Sequence, residues 1–213
     1  MFARAYDLLM ADVDYEAVYT WLKPYLKEHK TILDAGCGSG YLLVELIKNK
    51  HDAIGIDIDS GMLSLAYDKL RNANLQANLY EHDLREPLYI KFDIVLAMFD
   101  VVNYFKGLKK VFKNIYNGLN DGGIFIFDLY KKEVLKDYSD YIEIEDEPIH
   151  YEWTIRSNAS QLIHQVNIGE ETVEIKQYVD DLSYYLILLE DLGFKTEVHD
   201  GMDVRKHYIV AHK

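Results

Sequence analysis

From residue 32 to residue 46 the chain reads Ile-Leu-Asp-Ala-Gly-Cys-Gly-Ser-Gly-Tyr-Leu-Leu-Val-Glu-Leu. An apolar run ends in the carboxylate of Asp34, and Gly36, Gly38 and Gly40 follow at alternate positions. Glycines so placed let the backbone turn tightly and approach a ligand with no Cβ in the way. A helix starting near Tyr41 offers unpaired N–H groups to an anion. This is the chemistry of a loop that holds a nucleoside cofactor. A nicotinamide dinucleotide loop requires G-x-G-x-x-G/A, but the last position is Tyr41 counted from Gly36 and Leu43 counted from Gly38, which weakens that reading.

Asp57 closes the next apolar run, where an open α/β sheet presents an acid to a ribose diol, and one carboxylate accepts from both hydroxyls. Asp59 or Ser60 is better placed as the cap of the helix that begins at Gly61-Met62. Ile58 beside Asp57 joins the candidate cofactor contacts. Met62 can lay its thioether on an adenine face or serve as an ordinary core residue. Asp83, ending Tyr80-Glu81-His82-Asp83-Leu84, can accept from an adenine amino group while the Leu84 N–H reaches a ring nitrogen. His150, His164 and Tyr6 are the candidates for a base. Cys37, the single cysteine, has no partner for an internal disulfide, and small size explains its place between two glycines better than nucleophilic chemistry. The eight histidines are scattered, with no H-x-x-x-H or C-x-x-C spacing, so no metal is expected.

The elements that must position these residues alternate. Val18, Trp21, Leu22, Tyr25 and Leu26 predict an amphipathic helix over residues 14–28 that covers the first strand. Strands are predicted at 31–35, 52–57, 78–83 and 92–98, with helices at 41–49 and 61–72. Leu108, Val111, Phe112, Ile115, Tyr116 and Leu119 form one helical stripe, stopped by Asn120-Asp121-Gly122-Gly123 ahead of a buried strand at 124–127. Such alternation predicts a parallel sheet. Beyond Asp128 the period becomes two: Ile149, Tyr151, Trp153 and Ile155, then Leu162, His164, Val166 and Ile168, then Val173 and Ile175. An inserted antiparallel sheet is expected there, on the acceptor side. A helix from Leu182 to Leu192 and strands at 194–200 and 206–212 finish the chain.

The stretch Asp34, Gly36, Gly38, Gly40 resembles motif I of the class I S-adenosylmethionine (SAM)-dependent methyltransferases, with Asp57 and Asp83 matching the acids after the second and third strands. Tyr6-Asp7-Leu8-Leu9-Met10 and Phe99-Asp100-Val101-Val102-Asn103-Tyr104 are similar to a small-molecule branch that includes amino-sugar N-methyltransferases. The resemblance implies a Rossmann-like α/β fold: a mostly parallel seven-stranded sheet, helices on both faces and a β cap after the fifth strand. It implies SAM as cofactor, S-adenosylhomocysteine as product, Tyr6 as a lid contact, and Met98 and Phe99 beside the cofactor. Asn103, Tyr104 and Tyr130 are the candidate acceptor wall. The expected division is residues 1–130 for the helical cover and SAM-binding core, 131–179 for the cap, and 180–213 completing the core.

The 213 residues suit one compact body, and 49% apolar content suffices for its core. Neither a signal-peptide pattern nor a long apolar run appears, so a cytoplasmic enzyme without a membrane partner is the default. With 36 acidic against 23 basic residues and no dense basic cluster, nucleic acid is disfavoured as partner. Residues 141–152 hold five acids and no Lys or Arg; they mark either a cationic acceptor or a solvated strand edge. The expected function is methyl transfer to N or O of a small molecule, by a monomer or homodimer. A SAM- or nucleoside-binding module without turnover and an RNA methyltransferase are the alternatives.

Overall fold

The computed structural model describes residues 2–27 and 30–213. The chain opens with helix α1 (Phe2–Leu9), a short 3-10 turn (Met10–Asp12) and helix α2 (Tyr15–Leu22), capped by Asp14 accepting from the Ala17 N–H. The single helix predicted over 14–28 is therefore shorter and has a partner before it. Pro24 has no N–H to continue the ladder, and the chain tightens into the turns Tyr25 to Leu22 and Leu26 to Lys23. Residue 28, the end of that prediction, lies outside the described residues.

The core then alternates as the pattern requires: β1 (Thr31–Ala35), α3 (Tyr41–Lys48), β2 (Asp52–Asp57), α4 (Ser60–Asn72), β3 (Asn78–Glu81) and β4 (Phe92–Ala97). A second 3-10 turn (Val101–Tyr104) leads to α5 (Leu108–Gly118) and β5 (Leu119–Tyr130). The predicted turn at 120–123 is a bulge within β5. Phe92 pairs with Leu119 and Ile94 already with Ile124, so the residues between loop out, with Gly122 at φ +74°.

After α6 (Val134–Asp137) come β6 (Asp140–Glu145), β7 (Tyr151–Ser157), β8 (Gln161–Ile168) and β9 (Glu171–Tyr178), an antiparallel sheet in the order β6-β7-β8-β9. Helix α7 (Leu182–Glu190), β10 (Lys195–His199) and β11 (Lys206–His212) return to the main sheet. That seven-stranded sheet runs β10-β11-β5-β4-β1-β2-β3, with β11 antiparallel to both neighbours and the other adjoining pairs parallel. Alternate residues feed two cores. Leu33, Ala35, Val95 and Ala97 pack with α5 and α7, and Ile32, Ile94, Leu96 and Met98 pack with α2 and α3. The Rossmann-like fold and the inserted cap thus stand as expected.

The acidic stretch at 141–152 includes the edge strand β6. Glu143 accepts from the hydroxyls of Tyr141 and Tyr151 there, and none of its acids lines either large cavity. Among the described residues no helix is long and apolar enough to cross a membrane.

Candidate active site

Strand order reverses between β1 and β4, because the chain builds β1-β2-β3 outward and then crosses to the other side of β1. Loops leaving the carboxyl ends of these two strands diverge and leave a crevice, where open α/β sheets bind ligands. The glycine loop follows β1 there. Gly36 and Cys37 both donate to the Ile56 carbonyl at 2.8 and 2.9 Å, and Gly40 donates to Cys37 O at 2.9 Å. Gly40 adopts φ +84°, and a Cβ on it would lie 2.8 Å from the Ala66 Cβ, so only glycine lets α3 start this close to α4. Gly38, at φ +53°, would meet nothing within 4 Å; its open side faces the crevice.

A cavity of about 680 Å³ occupies the crevice and brings together Asp34, Gly36, Gly38, Gly40, Asp57, Ile58, Met62, Asp83, Leu84, Met98, Phe99 and Tyr6. Asp57 holds the loop, with Oδ2 accepting from Gly38 N at 2.8 Å and Oδ1 from Asp59 N at 2.9 Å. Burial raises its carboxyl, and these backbone donors oppose the rise. Asp59 caps α4 through Gly61 N and Met62 N, as its position suggested. Asp34 is fully enclosed. Among the described residues its Oδ2 has no hydrogen-bond partner, and burial, then the Asp57 charge, lift its pKa to about 7. Asp83 differs from expectation in one respect: Arg85 already grips both its oxygens, at 2.5 to 3.0 Å, and holds its carboxyl below the usual range. Any purine contact there shares the carboxylate with Arg85. Burial pushes the Cys37 thiol far up, so no thiolate nucleophile forms in the loop.

A second cavity, of about 560 Å³, lies between the core and the cap. The two share Phe2, Tyr6, Met10, Met98, Phe99, Tyr104 and Ile175 as common wall. Helix α1 supplies much of that wall and is fastened on both sides. Asp7 pairs with Lys69 of α4 at 2.9 Å and takes the Tyr41 hydroxyl on its carbonyl, and Ala5 packs against Tyr151, Val166 and Ile168 of the cap.

Tyr130 lines the second cavity, as Tyr104 lines both, but Asn103 does not line either. Its amide is fully buried and spent on backbone, donating to Tyr178 O at 2.7 Å and accepting from Tyr130 N at 3.0 Å, so it ties β5 to β9. His150 is also away from the cavities; it stands exposed in the β6–β7 turn with Asp146 2.7 Å from Nδ1. His164 lines the second cavity, but both ring nitrogens are engaged, with Trp153 Nε1 at 3.1 Å and Gln177 Oε1 at 2.9 Å, and burial lowers its pKa. Burial also raises the Tyr6 and Tyr130 hydroxyls, with Asp100 adding to the rise in both. Tyr104 rises likewise, by burial and then by its neighbour Tyr6. None of the four cavity-lining groups Tyr6, Tyr104, Tyr130 and His164 is poised to take a proton near pH 7.

The polar floor of this cavity leaves little trace in the sequence. Lys206 Nζ lies 2.5 Å from Asp100 Oδ1 and 3.0 Å from Asp128 Oδ2, all three side chains buried. Burial alone would lower the Lys206 ammonium; the two carboxylates more than reverse this and leave it well above its ordinary value. Asp128 is raised, by burial first. One signal was readable: Asp128 falls at the end of an apolar strand, as Asp34 and Asp57 do. Lys206 had none, because it lies 106 residues from Asp100 in sequence.

Residues 32–123 match the methyltransferase-domain family. The putative methyltransferase YqeM of Bacillus subtilis is 32% identical over 178 residues, 78% of this chain and 70% of that protein. A SAM-dependent methyltransferase of Clostridium acetobutylicum superposes with a TM-score of 0.80 at 24% identity, covering 99% of this chain and 97% of that one. SAM-bound CalS10, an amino pentose methyltransferase of Micromonospora echinaspora, gives 0.75 at 17%, covering 99% and 95%. The crevice fits that cofactor: the unpartnered oxygen of Asp34 suits a cation-bearing amino-acid tail, and the bare face of Gly38 leaves room for it. The motif, the strand order and the relatives agree that this chain belongs to the class I S-adenosylmethionine-dependent methyltransferases.

Proposed function

We propose that the chain transfers a methyl group from SAM to a nitrogen or oxygen of a small-molecule acceptor held under the cap. The observation that carries this reading is the pair of adjoining cavities, one built on the glycine loop and one closed over by an antiparallel sheet, with Tyr6, Met98, Phe99 and Tyr104 where they meet. SAM supplies an activated methyl on a positively charged sulfonium, so the protein's task is approach and alignment at about 3 to 3.5 Å.

In this reading Asp57 takes the ribose hydroxyls on the lone pairs left by Gly38 and Asp59. Ile58 and Met62 flank the base, and Asp83 with Leu84 lies at its polar edge. Asp34 answers the cationic tail, and Tyr6 closes over it from α1. Residues 1–130 and 180–213 serve the cofactor, and the cap of 131–179 serves the acceptor with help from the core strands beneath it. Enclosure by α1 and the cap keeps water from the sulfonium. No protein base is assigned, since the tyrosines are raised and His164 is fully bonded.

The amino pentose acceptor of the structural neighbour fits a cavity of this size. An RNA acceptor fits poorly with a net charge of −13 and a covered cavity. Incubation of the enzyme with methyl-labelled SAM and fractionated cell extract is the test. Label in the small-metabolite fraction is expected; label confined to RNA or protein overturns the reading, and no label at all leaves a binding module.

A further inference from the structure

The floor of the acceptor cavity is a run of side chains in which every proton is fixed by the two ends. The Asp100 carboxylate only accepts, and the Trp153 indole only donates. Gln177 must therefore turn its amide nitrogen to Asp100 Oδ2, which leaves Gln177 Oε1 facing His164 Nε2 at 2.9 Å. That oxygen has no proton to give, so His164 carries its own on Nε2. Nδ1 then keeps the lone pair that receives the Trp153 N–H at 3.1 Å. A second proton on the ring would set N–H against N–H, and a flipped Gln177 would set oxygen against carboxylate. The run has one arrangement, and His164 one neutral tautomer. Its only link to charge in the run is through Gln177 to Asp100, behind which stand Lys206 and Asp128.

Stability does not account for this construction. Buried ionic and polar groups are at best weakly stabilising against an apolar core of the same volume. What the run does is aim one carboxylate. Asp100 follows Phe99 with both residues in the left-handed region, at φ +55° and +65°, a conformation disfavoured for a bulky side chain. Its backbone N–H is pinned to Asp128 Oδ1 at 2.7 Å, Oδ1 to Lys206, and Oδ2 to Gln177 from the cap. Each oxygen retains accepting capacity, and the group lies next to the Met98–Phe99 wall between the cavities.

We propose that Asp100 accepts a hydrogen bond from the N–H or O–H of the acceptor's attacking atom, whose proton leaves to solvent with the methylated product, and that Gln177 and His164 are positioning residues that aim its carboxylate from the cap. This rests on reading the second cavity as the acceptor site. Because Lys206 already neutralises part of the charge, Asp100 orients the acceptor by hydrogen bonding without holding an amine fully protonated. His164 takes no proton in turnover.

His164→Gln and His164→Leu separate the roles, because an amide nitrogen can stand in for Nε2–H toward Gln177 but an amide is no base. With the fresh small-metabolite fraction that takes up label as acceptor, His164→Gln should keep the half-saturating amount within about threefold and leave the pH profile unchanged. His164→Leu should raise that amount tenfold or more, and Asp100→Asn should cut the rate about a hundredfold. SAM affinity should stay within about twofold in all three. Equal loss in both His164 variants with the acidic limb of the profile gone, or no change in His164→Leu or Asp100→Asn, overturns the proposal. A second measurement needs no acceptor: nitrogen-15 histidine NMR of the wild-type protein with S-adenosylhomocysteine should show His164 as the Nε2–H tautomer from pH 8 to pH 5, and titration within that range overturns it. Absence of label in small molecules would sink the proposed function instead, leaving the NMR result to stand.

Discussion

The two cavities are built on opposite plans. The glycine-loop crevice draws its key groups from short segments, each at the end of one strand, and joins them largely through backbone: Asp57 accepts from the N–H groups of Gly38 and Asp59. The acceptor cavity is floored by side chains from distant parts of the chain, with Asp100 meeting Gln177 and Lys206 across 77 and 106 residues. A local plan suits a constant ligand, because a strand, a turn and a helix define it wherever they are placed. A long-range plan makes the acceptor cavity depend on the whole fold being assembled, cap included.

Substitutions in the two cavities separate the two plans. Lys206→Met strands two buried carboxylates, and a loss of about 3–5 kcal/mol is expected in urea unfolding; adding Asp128→Asn should recover part of it. A loss below about 1 kcal/mol would show that the long-range cluster is no keystone of the cap. Gly40→Ala forces a Cβ against Ala66 at φ +84° and should cost about 2–4 kcal/mol in the same assay. Asp57→Ala removes an ionised acceptor and should weaken SAM binding by about 1.5–3 kcal/mol in calorimetry, without loss of the cap.

Asp34 gives a pH test. Its folded value of about 7 lies above the ordinary 3.8, so the folded state holds the proton more tightly. Its contribution to the stability of the unliganded protein, read as the difference between wild type and Asp34→Asn, should therefore be fully present below about pH 4 and be lost as pH rises through about 7. Affinity for cationic SAM should rise about tenfold between pH 6 and 8 as the carboxylate ionises, and Asp34→Asn should flatten that rise. The smallest effect is expected for His150→Ala, which removes an exposed pairing worth at most about 1 kcal/mol. Unaltered turnover and pH profile would agree with its distance from both cavities.

Legibility in the sequence follows the same division. Asp34, the three glycines and Asp57 could be read because spacing alone fixes their geometry, and the alternation of elements gave the sheet. His164 was legible as an inward position, since it alternates with Leu162, Val166 and Ile168, but its partners were not, because register between β7, β8 and β9 decides them. Asn103 looked like wall and proved to be a tie between strands; an amide beside a cavity and one turned from it have the same local sequence. Helix α1 was missed because eight residues near a terminus carry too few turns for a clear stripe.

Trp153 and Val166 stand opposite one another on adjacent strands of the cap and look into the acceptor space from above, away from the cofactor crevice, while the hydrogen-bonded ladder that carries them runs through backbone. Exchanging such residues for others of different bulk would recontour the chamber and leave the glycine turn untouched. Diversification of what is methylated could thus proceed residue by residue, with the donor end of the catalyst held constant.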